Sequence, residues 1–560
     1  MESLKENNIA EAANFIESIV EDDVKNKAFS RPIATRFPPE PNGYLHIGSA
    51  YAINISYNVS QKYNGTFNLR FDDTNPAKED MEYVRAIIED MKWLGFDPNE
   101  RIFYGSDYSN IYYEMAIKLI KKGKAYVCDL NPDEIREYRG TLTSAGINSP
   151  YRDRTVDENL KLFEEMKVGK YAAGEKVLRA KIDMSSPNIN MRDPVIYRIQ
   201  HVSHYKTGND WCIYPMYDFA HPLQDAIEGI THSLCSNEFK NHRPLYEWFL
   251  NELDFSNPPC QREFGRMNLS GVVTSKRYLK ELVFGGYVDG WDDPRLPTIK
   301  AFRRRGITPE SIKNFLTQMG IGKTDFTIDI SMLDHYVRND LKSKVPSIMA
   351  VLDPIKVTIT NYPKGEIEYL NITNNPENET LSSRKVPFSR NIFIEKSDFM
   401  ENPIKGFHRL TPSGEVRLKG AYFIKCNEIV KDENGEIIEL LCTYDPETKS
   451  GSGFTGRKVK GTIHWVCDYD KVEATVNLYD KLILDEELLR DSSKSWEEKL
   501  NPESKITLDK CFIEPFVKNA KPEDKFQFMR HGYFCVDRKE TTSDNLVFNR
   551  TVSLKDSFKK

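Results

Sequence analysis

Three short stretches of this chain carry side chains suited to phosphate or carboxylate chemistry. The first is Pro38-Pro39-Glu40-Pro41-Asn42-Gly43-Tyr44-Leu45-His46-Ile47-Gly48-Ser49. Ile33 to Phe37, before it, is short, apolar and partly β-branched, which reads as a strand. Ala50 to Tyr63, after it, has no Gly or Pro, and Leu45, Ala50, Ile53, Tyr57 and Ser60 recur at helical spacing. A strand thus ends in a proline-stiffened turn that delivers His46 and Gly48 to a helix start. Backbone N–H groups and the positive end of the helix dipole gather there, which suits an anion such as phosphate. His46 adds a donor whose charge is set near neutral pH. Gly43 and Gly48 let a ligand approach the backbone closely. The second stretch, Thr274-Ser275-Lys276-Arg277, is a cationic, hydroxyl-bearing loop between a strand, Glu263 to Leu269, and a helix, Tyr278 to Val283. Its lysine would meet phosphate as a point charge. The third is the aromatic run Trp211 to His221, where Tyr217, Asp218 and His221 need polar partners if buried. Taken singly, each stretch also fits an ordinary turn, loop or core.

The elements that must position these residues alternate between residues 31 and 130. Phe67 to Phe71 reads as a strand closing at Asp72-Asp73-Thr74, followed by helices Glu79 to Leu94 and Tyr108 to Lys122 and a strand, Ala125 to Cys128. Alternation predicts a parallel sheet with ligands at the carboxyl ends of its strands. The proline-rich turn and Asp72-Asp73 both lie at such ends, which places them in one pocket. Residues 1–30 read as a short helix with Ile9, Ala13, Ile16 and Val20 on one face. Residues 131–210 interrupt the alternation as an inserted subdomain, 211–285 resume it, and 286–343 are helical. From residue 344 the pattern becomes many short strands with turns such as Glu433-Asn434-Gly435-Glu436, which predicts one or two antiparallel barrels. The long gap from Asp485 to Lys505 reads as the division between two barrels.

A chain of 560 residues is too long for one core. Hydrophobic residues at 39% and charged residues at 29% describe a globular protein, and no apolar run approaches the ~20 residues of a membrane span. The polar start Met1 to Glu6 is unlike a secretory signal. Nine cysteines without a Cys-x-x-Cys pair fit reduced thiols in the cytoplasm and give no zinc site. Net charge is −6, which excludes a uniformly basic nucleic-acid coat but not a local basic face. Candidate patches are Arg303-Arg304-Arg305 and Gly456 to Lys460, each read first as a solvated face.

His-Ile-Gly after this proline-rich prefix resembles the first signature of class I aminoacyl-tRNA synthetases, in its glutaminyl and glutamyl branch. Thr274 to Arg277 resembles the second signature. Arg70 to Pro76, Arg136 to Thr143, Met191 to Pro194, Tyr214 to Asp218, Gly290 to Arg295, Lys460 to Trp465 and Phe548 to Val552 are similar to the glutaminyl-tRNA synthetase family. The likeness runs from about residue 31 to 552, and the barrels separate it from bacterial glutamyl enzymes. It implies an α/β Rossmann-like catalytic domain (31–130 and 211–285), an inserted acceptor-stem-binding subdomain (131–210), a helical subdomain (286–343) and two anticodon-binding β-barrels (344–560). It implies ligation of L-glutamine to tRNA through a glutaminyl-adenylate, with ATP as substrate, Mg²⁺ alongside it, no protein-held metal and no membrane, in a cytoplasmic monomer. By the same analogy His46 and Lys276 stabilise phosphate charge. Glu40, Pro41, Asn42, His46, Ile47, Gly48, Ser49, Ala50, Tyr51, Ala52, Ser236, Arg266, Met267, Thr274, Ser275 and Lys276 line the ATP site. Arg36, Asp72, Tyr217 and Gln261 form the glutamine pocket, with Arg36 pairing a carboxylate bidentately, Asp72 meeting the α-ammonium and Tyr217 reading the amide.

Departures from the family pattern cluster in the nucleotide and tRNA contacts. Ser49 stands where a second His is usual, Tyr51 for a lysine and Thr274 for a methionine. Ser347 replaces an arginine and His408 a lysine in the barrels, and Asn241 stands where bacterial members often have Asp. The pattern leaves open a second expectation: a paralogue that activates glutamine for another acceptor, or binds without catalysis.

Overall fold

The computed structural model describes residues 14–483 and 485–554. Ile9 and Ala13 of the expected first helix lie outside them. The helix itself, α1 (Phe15–Lys25), is capped by Asn14, whose side chain accepts from Glu17 N at 3.0 Å, and it buries Ile16 and Val20. Contacts divide the chain into two units: residues up to 269 with 316–328, and residues 270–315 with 329 onward.

In the first unit, β1 (Ala34–Phe37) leads through α2 (Ile47–Lys62) to β2 (Thr66–Phe71), and β2 through α3 (Met81–Leu94) to β3 (Ile102–Tyr104). All three strands are parallel with β2 central, as the alternation predicts. Successive residues of β2 from Phe67 to Phe71 are buried, Asn68 and Arg70 included, because helices and loops cover both faces of a parallel sheet. A second parallel pair, His232–Ser236 with Cys260–Phe264, lies beside β1, where Thr231 N donates to Ala34 O at 2.9 Å. The strand Ala125–Cys128 does not join this sheet. It pairs antiparallel with Val177–Ala180 and opens a four-stranded sheet completed by Val195–Ile199 and Ile213–Pro215. Strand–helix alternation sets the order of elements but not which edge a strand finds. That second sheet and the helices Ser109–Lys121 and Val156–Lys167 bury Tyr112, Phe163, Leu178, Ile196 and Tyr197 in one core.

The second unit contains the helices Lys276–Phe284, Ile299–Arg305 and Ser331–Lys342 and two seven-stranded sheets. One sheet combines Ser347–Ile348 and Ala350–Val351 with the strands from Val472–Tyr479 onward. The other runs between Pro354–Ile359 and Val466–Cys467. Most pairings are antiparallel, with parallel exceptions such as Pro354–Ile359 against Ile437–Asp445. Each sheet is closed by one short segment that supplies strands to both of its edges. Residues 347–351 pair with Lys525–Phe528 at one edge and Lys505–Ile513 at the other. Residues 462–467 pair with Glu415–Leu418 and Asn391–Glu395. Closure removes the unpaired edges that invite aggregation. Alternation follows at the closing segment: Ile348, Ala350 and Leu352 enter one core, Met349 and Val351 the other. The gap from Asp485 to Lys505 therefore does not divide the barrels; it lies between two strands of the same one, Val472–Tyr479 and Lys505–Ile513.

Candidate active site

The proline-rich turn is tied to the end of β2 by its backbone. Asp72 N donates to Pro39 O at 3.0 Å, and Asp80 N to Pro41 O at 3.1 Å. Glu40 and Asp72 consequently face one cavity of about 300 Å³, which Arg36, Ala52, Tyr217, Cys235, Ser236, Phe239 and Phe264 also line. The expected meeting of turn and strand end is borne out for Asp72; Asp73 does not line the cavity, its carboxylate accepting instead from Ser106 N and Oγ and from the Tyr205 hydroxyl.

Burial, then the charge of Glu40, pushes the Asp72 carboxyl up to about 7. Burial holds the Tyr217 hydroxyl protonated and pushes the Cys235 thiol up to about 12, so both meet a ligand uncharged. Arg36 is 1% exposed and its guanidinium is engaged on every nitrogen. Nε donates to Asp225 Oδ1 at 3.0 Å, Nη1 to Leu234 O at 2.8 Å and Nη2 to Ser233 Oγ at 2.7 Å. Arg36 therefore meets the cavity as a fixed positive wall rather than as the expected two-pronged clamp. Arg70 shares the same carboxylate, its Nη1 donating to Asp225 Oδ1 at 2.6 Å, and Tyr246 donates to Oδ2 at 2.9 Å. Burial opposes ionisation of Asp225, but Arg36 and Arg70 outweigh it and hold the carboxyl far below the usual range. His221 lies between the two guanidinium groups, 2.6 Å from Arg36 Nη2 and 2.8 Å from Arg70 Nη2. Burial, joined by both arginines, keeps it neutral despite Asp225.

His46 is the N-cap of α2, with its Nδ1 accepting from Gly48 N at 3.0 Å. The helix starts at Ile47 rather than Ala50 because this imidazole takes an N–H that would otherwise lack a partner. An accepting Nδ1 leaves the proton on Nε2, so a neutral His46 is a donor there. Gly48 gives the imidazole its seat: a Cβ would lie 2.8 Å from His46 Cε1, so the ring would have to shift. Gly43 has open space around it and no such constraint.

Of the other expected ATP contacts, Glu40, Ala52 and Ser236 line the cavity. Tyr51 is buried, donates to Gly320 O at 3.1 Å and packs edge-on against Phe264 and Phe326, so its side chain belongs to the core. Gln261 is turned to Phe239 O at 3.1 Å and Glu263 Oε1 at 3.0 Å and does not line the cavity. Nor do Arg266 and Met267; Arg266 N donates to Asp325 Oδ1 at 2.8 Å. Thr274, Ser275 and Lys276 belong to the second unit, where Ser275 immediately precedes the helix that Lys276 begins and makes no side-chain capping bond to it. Phe239, Cys235 and Phe264 line the cavity with no motif to announce them.

The second unit has its own cavity, of about 720 Å³. Arg417, Lys419, Arg530, Asn371, Gln527, Ser347 and His464 are among its lining residues, and among the described residues no carboxylate lines it. Such a wall of cations and amides suits an unstacked nucleobase and its phosphate. The two expected basic patches are not part of it. Arg304 is buried on Asp537 at 2.9 Å, Arg303 pairs with Glu523 at 2.8 Å, and Arg457 pairs with Glu415 and Asp445. Ser347 lines this cavity, whereas His408 and Asn241 are exposed elsewhere.

Comparison with known proteins adds three family matches along the chain. Residues 32–343 match the catalytic domain of tRNA synthetases class I (E and Q), and residues 345–445 and 462–537 match anti-codon binding domains of the same group. A glutamine–tRNA ligase of Clostridium perfringens is 59% identical over 552 residues, covering 99% of each chain. One from Clostridioides difficile is 55% identical, again with 99% of each covered. One from Pseudomonas putida is 52% identical and covers 98% of this chain and 96% of its own.

Proposed function

The chain belongs to the class I tRNA synthetases (E and Q), and from that premise we propose that it joins L-glutamine to tRNA with ATP as the energy source. The observation that carries this reading is identity of 52–59% to glutamine–tRNA ligases over nearly the whole chain, barrels included. Nothing found favours a paralogue with another acceptor. The cavity of the first unit supports glutamine in physical terms. Arg36, the cation among its lining residues, is held by Asp225, and the wall becomes net negative when Asp72, pushed up to about 7, ionises beside Glu40. An ammonium is welcome there and a second carboxylate is not, so a neutral side-chain amide fits better than glutamate.

In the proposed reaction Asp72 holds the α-ammonium and Tyr217 offers its hydroxyl to the amide. The glutamine carboxylate attacks the α-phosphate of ATP, pyrophosphate leaves, and the terminal ribose hydroxyl of the tRNA then takes the glutaminyl group, releasing AMP. No covalent enzyme intermediate is needed. Catalysis rests on positioning and on donors aimed at developing phosphate charge. His46, through its Nε2 proton, and Lys276, as a point charge at a helix start, are the groups proposed for that role, with the backbone of residues 40–42 and 46–52 and Ser236 beside the nucleotide. Mg²⁺ would enter with ATP, held by phosphate oxygens and water. The cation-lined cavity of the second unit is proposed to take an anticodon base. No helix among the described residues is long and apolar enough to cross a membrane, and we propose a monomer working in the cytoplasm.

The test is ATP-dependent charging of tRNA with labelled glutamine. Lys276→Ala and His46→Ala are each expected to slow it by ~10²–10³-fold while melting temperature stays within a few degrees. An unchanged rate in either would remove that residue from the chemistry.

A further inference from the structure

A line of alternating charge runs from the wall of the second unit's cavity into the protein, and the reaction proposed above does not use it. His464 sits between the two edge strands of a closing segment, 2% exposed. Its Nδ1 is 3.4 Å from Arg530 Nη1, and Arg530 in turn donates from both Nη atoms to Asp398 at 2.6 Å. Its Nε2 points at Glu395 Oε1 from 3.6 Å and has no hydrogen-bond partner. On the far side Glu395 Oε1 receives His531 Nε2 at 2.9 Å and Leu352 N at 2.6 Å, and Oε2 receives Asp353 N at 3.1 Å.

A guanidinium can only donate, so Nδ1 of His464 accepts and Nε2 carries the proton. That proton faces an ionised carboxylate: burial opposes ionisation of Glu395, yet the donors His531 Nε2 and Leu352 N hold its carboxyl below the usual range. Arg409, 3.2 Å from Asp398, the thiol of Cys511 and the carboxylate of Asp353 are further ionisable groups beside this line. His464 and Arg530 line the cavity, whereas Glu395 and His531 do not. Any influence of the latter two on a bound base must pass through the former. A buried N–H left without an acceptor is costly, typically ~1–3 kcal/mol. A shift of His464 toward Glu395 by a fraction of an ångström would satisfy it.

We propose that Glu395 and His531 are positioning residues for nucleobase recognition: they fix the tautomer and tilt of His464, and through it the Arg530 guanidinium at the cavity wall. The inference rests on the anticodon reading of this cavity. A base seated against Arg530 and His464 moves the imidazole onto Glu395, so the missing hydrogen bond is made only in the bound state, and His531 holds the carboxylate where the imidazole can reach it.

The test uses the full chain and steady-state charging, with Arg530→Ala as the reference for the cavity. His531→Leu and Glu395→Gln are expected to raise the KM for tRNA ~5–10-fold, with kcat at saturating tRNA within about twofold. Both should also narrow the preference for cognate tRNA over a transcript with a changed anticodon. His531→Gln, which keeps an N–H donor and replaces a side chain only partly buried, should restore most of the affinity and melt like the parent. Parental KM in His531→Leu and Glu395→Gln, alongside a raised KM in Arg530→Ala, would overturn the relay but leave the cavity. Parental KM in Arg530→Ala would remove the cavity from tRNA recognition and the relay with it. Zinc retained by the purified protein and lost in His531→Leu would also overturn it, because a metal on Nε2 puts the proton on Nδ1, against Arg530.

Discussion

In the proposed site the α-ammonium of glutamine is received by Asp72, whose carboxyl burial and the charge of Glu40 push up to about 7. Holding the ammonium requires the ionised form, so glutamine binding and proton loss are linked. The sign is fixed: below about pH 7 the protonated form dominates and affinity falls, and above it affinity levels off. We expect the KM for glutamine to rise about tenfold per pH unit below that point. Asp72→Asn should raise the KM at alkaline pH and flatten the profile. A flat profile in the parent would show that Asp72 does not receive the amine. Residue types at this site were legible in the sequence, but availability was not. Arg36 reads as a carboxylate clamp until Asp225, 189 positions away, is seen to hold it. Gln261 reads as a pocket residue until its amide is found on Phe239 O. Buried partners so far along the chain leave no local signal.

At the scale of elements, the start of α2 is shaped by an imidazole lying on a glycine. Alanine favours a helix over glycine by ~1 kcal/mol, so Gly48→Ala should not lower stability through propensity. Its Cβ must nevertheless displace His46, and charging is expected to fall ~10-fold or more with melting unchanged. Full activity would mean that the imidazole needs no fixed seat. The helix Tyr217–Ile227 carries the opposite case, a carboxylate whose role is structural. Asp225→Asn leaves Arg36 buried without its counter-charge and Arg70 with only Glu228, 3.7 Å away. We expect a loss of ~3–5 kcal/mol in chemical denaturation. A loss under 1 kcal/mol would show that His221, Ser233 and Glu228 carry the two cations without it. The helix start was legible because proline, histidine and glycine punctuate it. The edge chosen by Ala125–Cys128 was not, since a four-residue apolar strand suits a parallel and an antiparallel neighbour alike.

At the scale of the molecule, closure of the barrels by short shared segments sets what can be changed. Trp465 follows His464 in one of them, fully buried, with Nε1 donating to Lys419 O at 3.0 Å. Trp465→Ala should cost ~3–5 kcal/mol and raise the KM for tRNA, because Lys419 and His464 line the cavity it supports. A change in KM without loss of stability would contradict the packing account. Many short strands announced barrels, but the pairing of Ser347 with Gln527 and of Ala350 with Ile513, 180 and 163 positions apart, could not be read from turns, so the division near residue 485 was misplaced. Arg303 to Arg305 looked like a surface patch because sequence shows three charges and not Glu523, Asp537 and Thr551 waiting for them. The most direct measurement is competition: one tRNA, ATP, and glutamine and glutamate at equal concentration, with the attached amino acid identified by mass spectrometry after release. The account predicts glutamine, with glutamate below about one part in 10². Glutamate on the tRNA, or no charged tRNA at all, would contradict it.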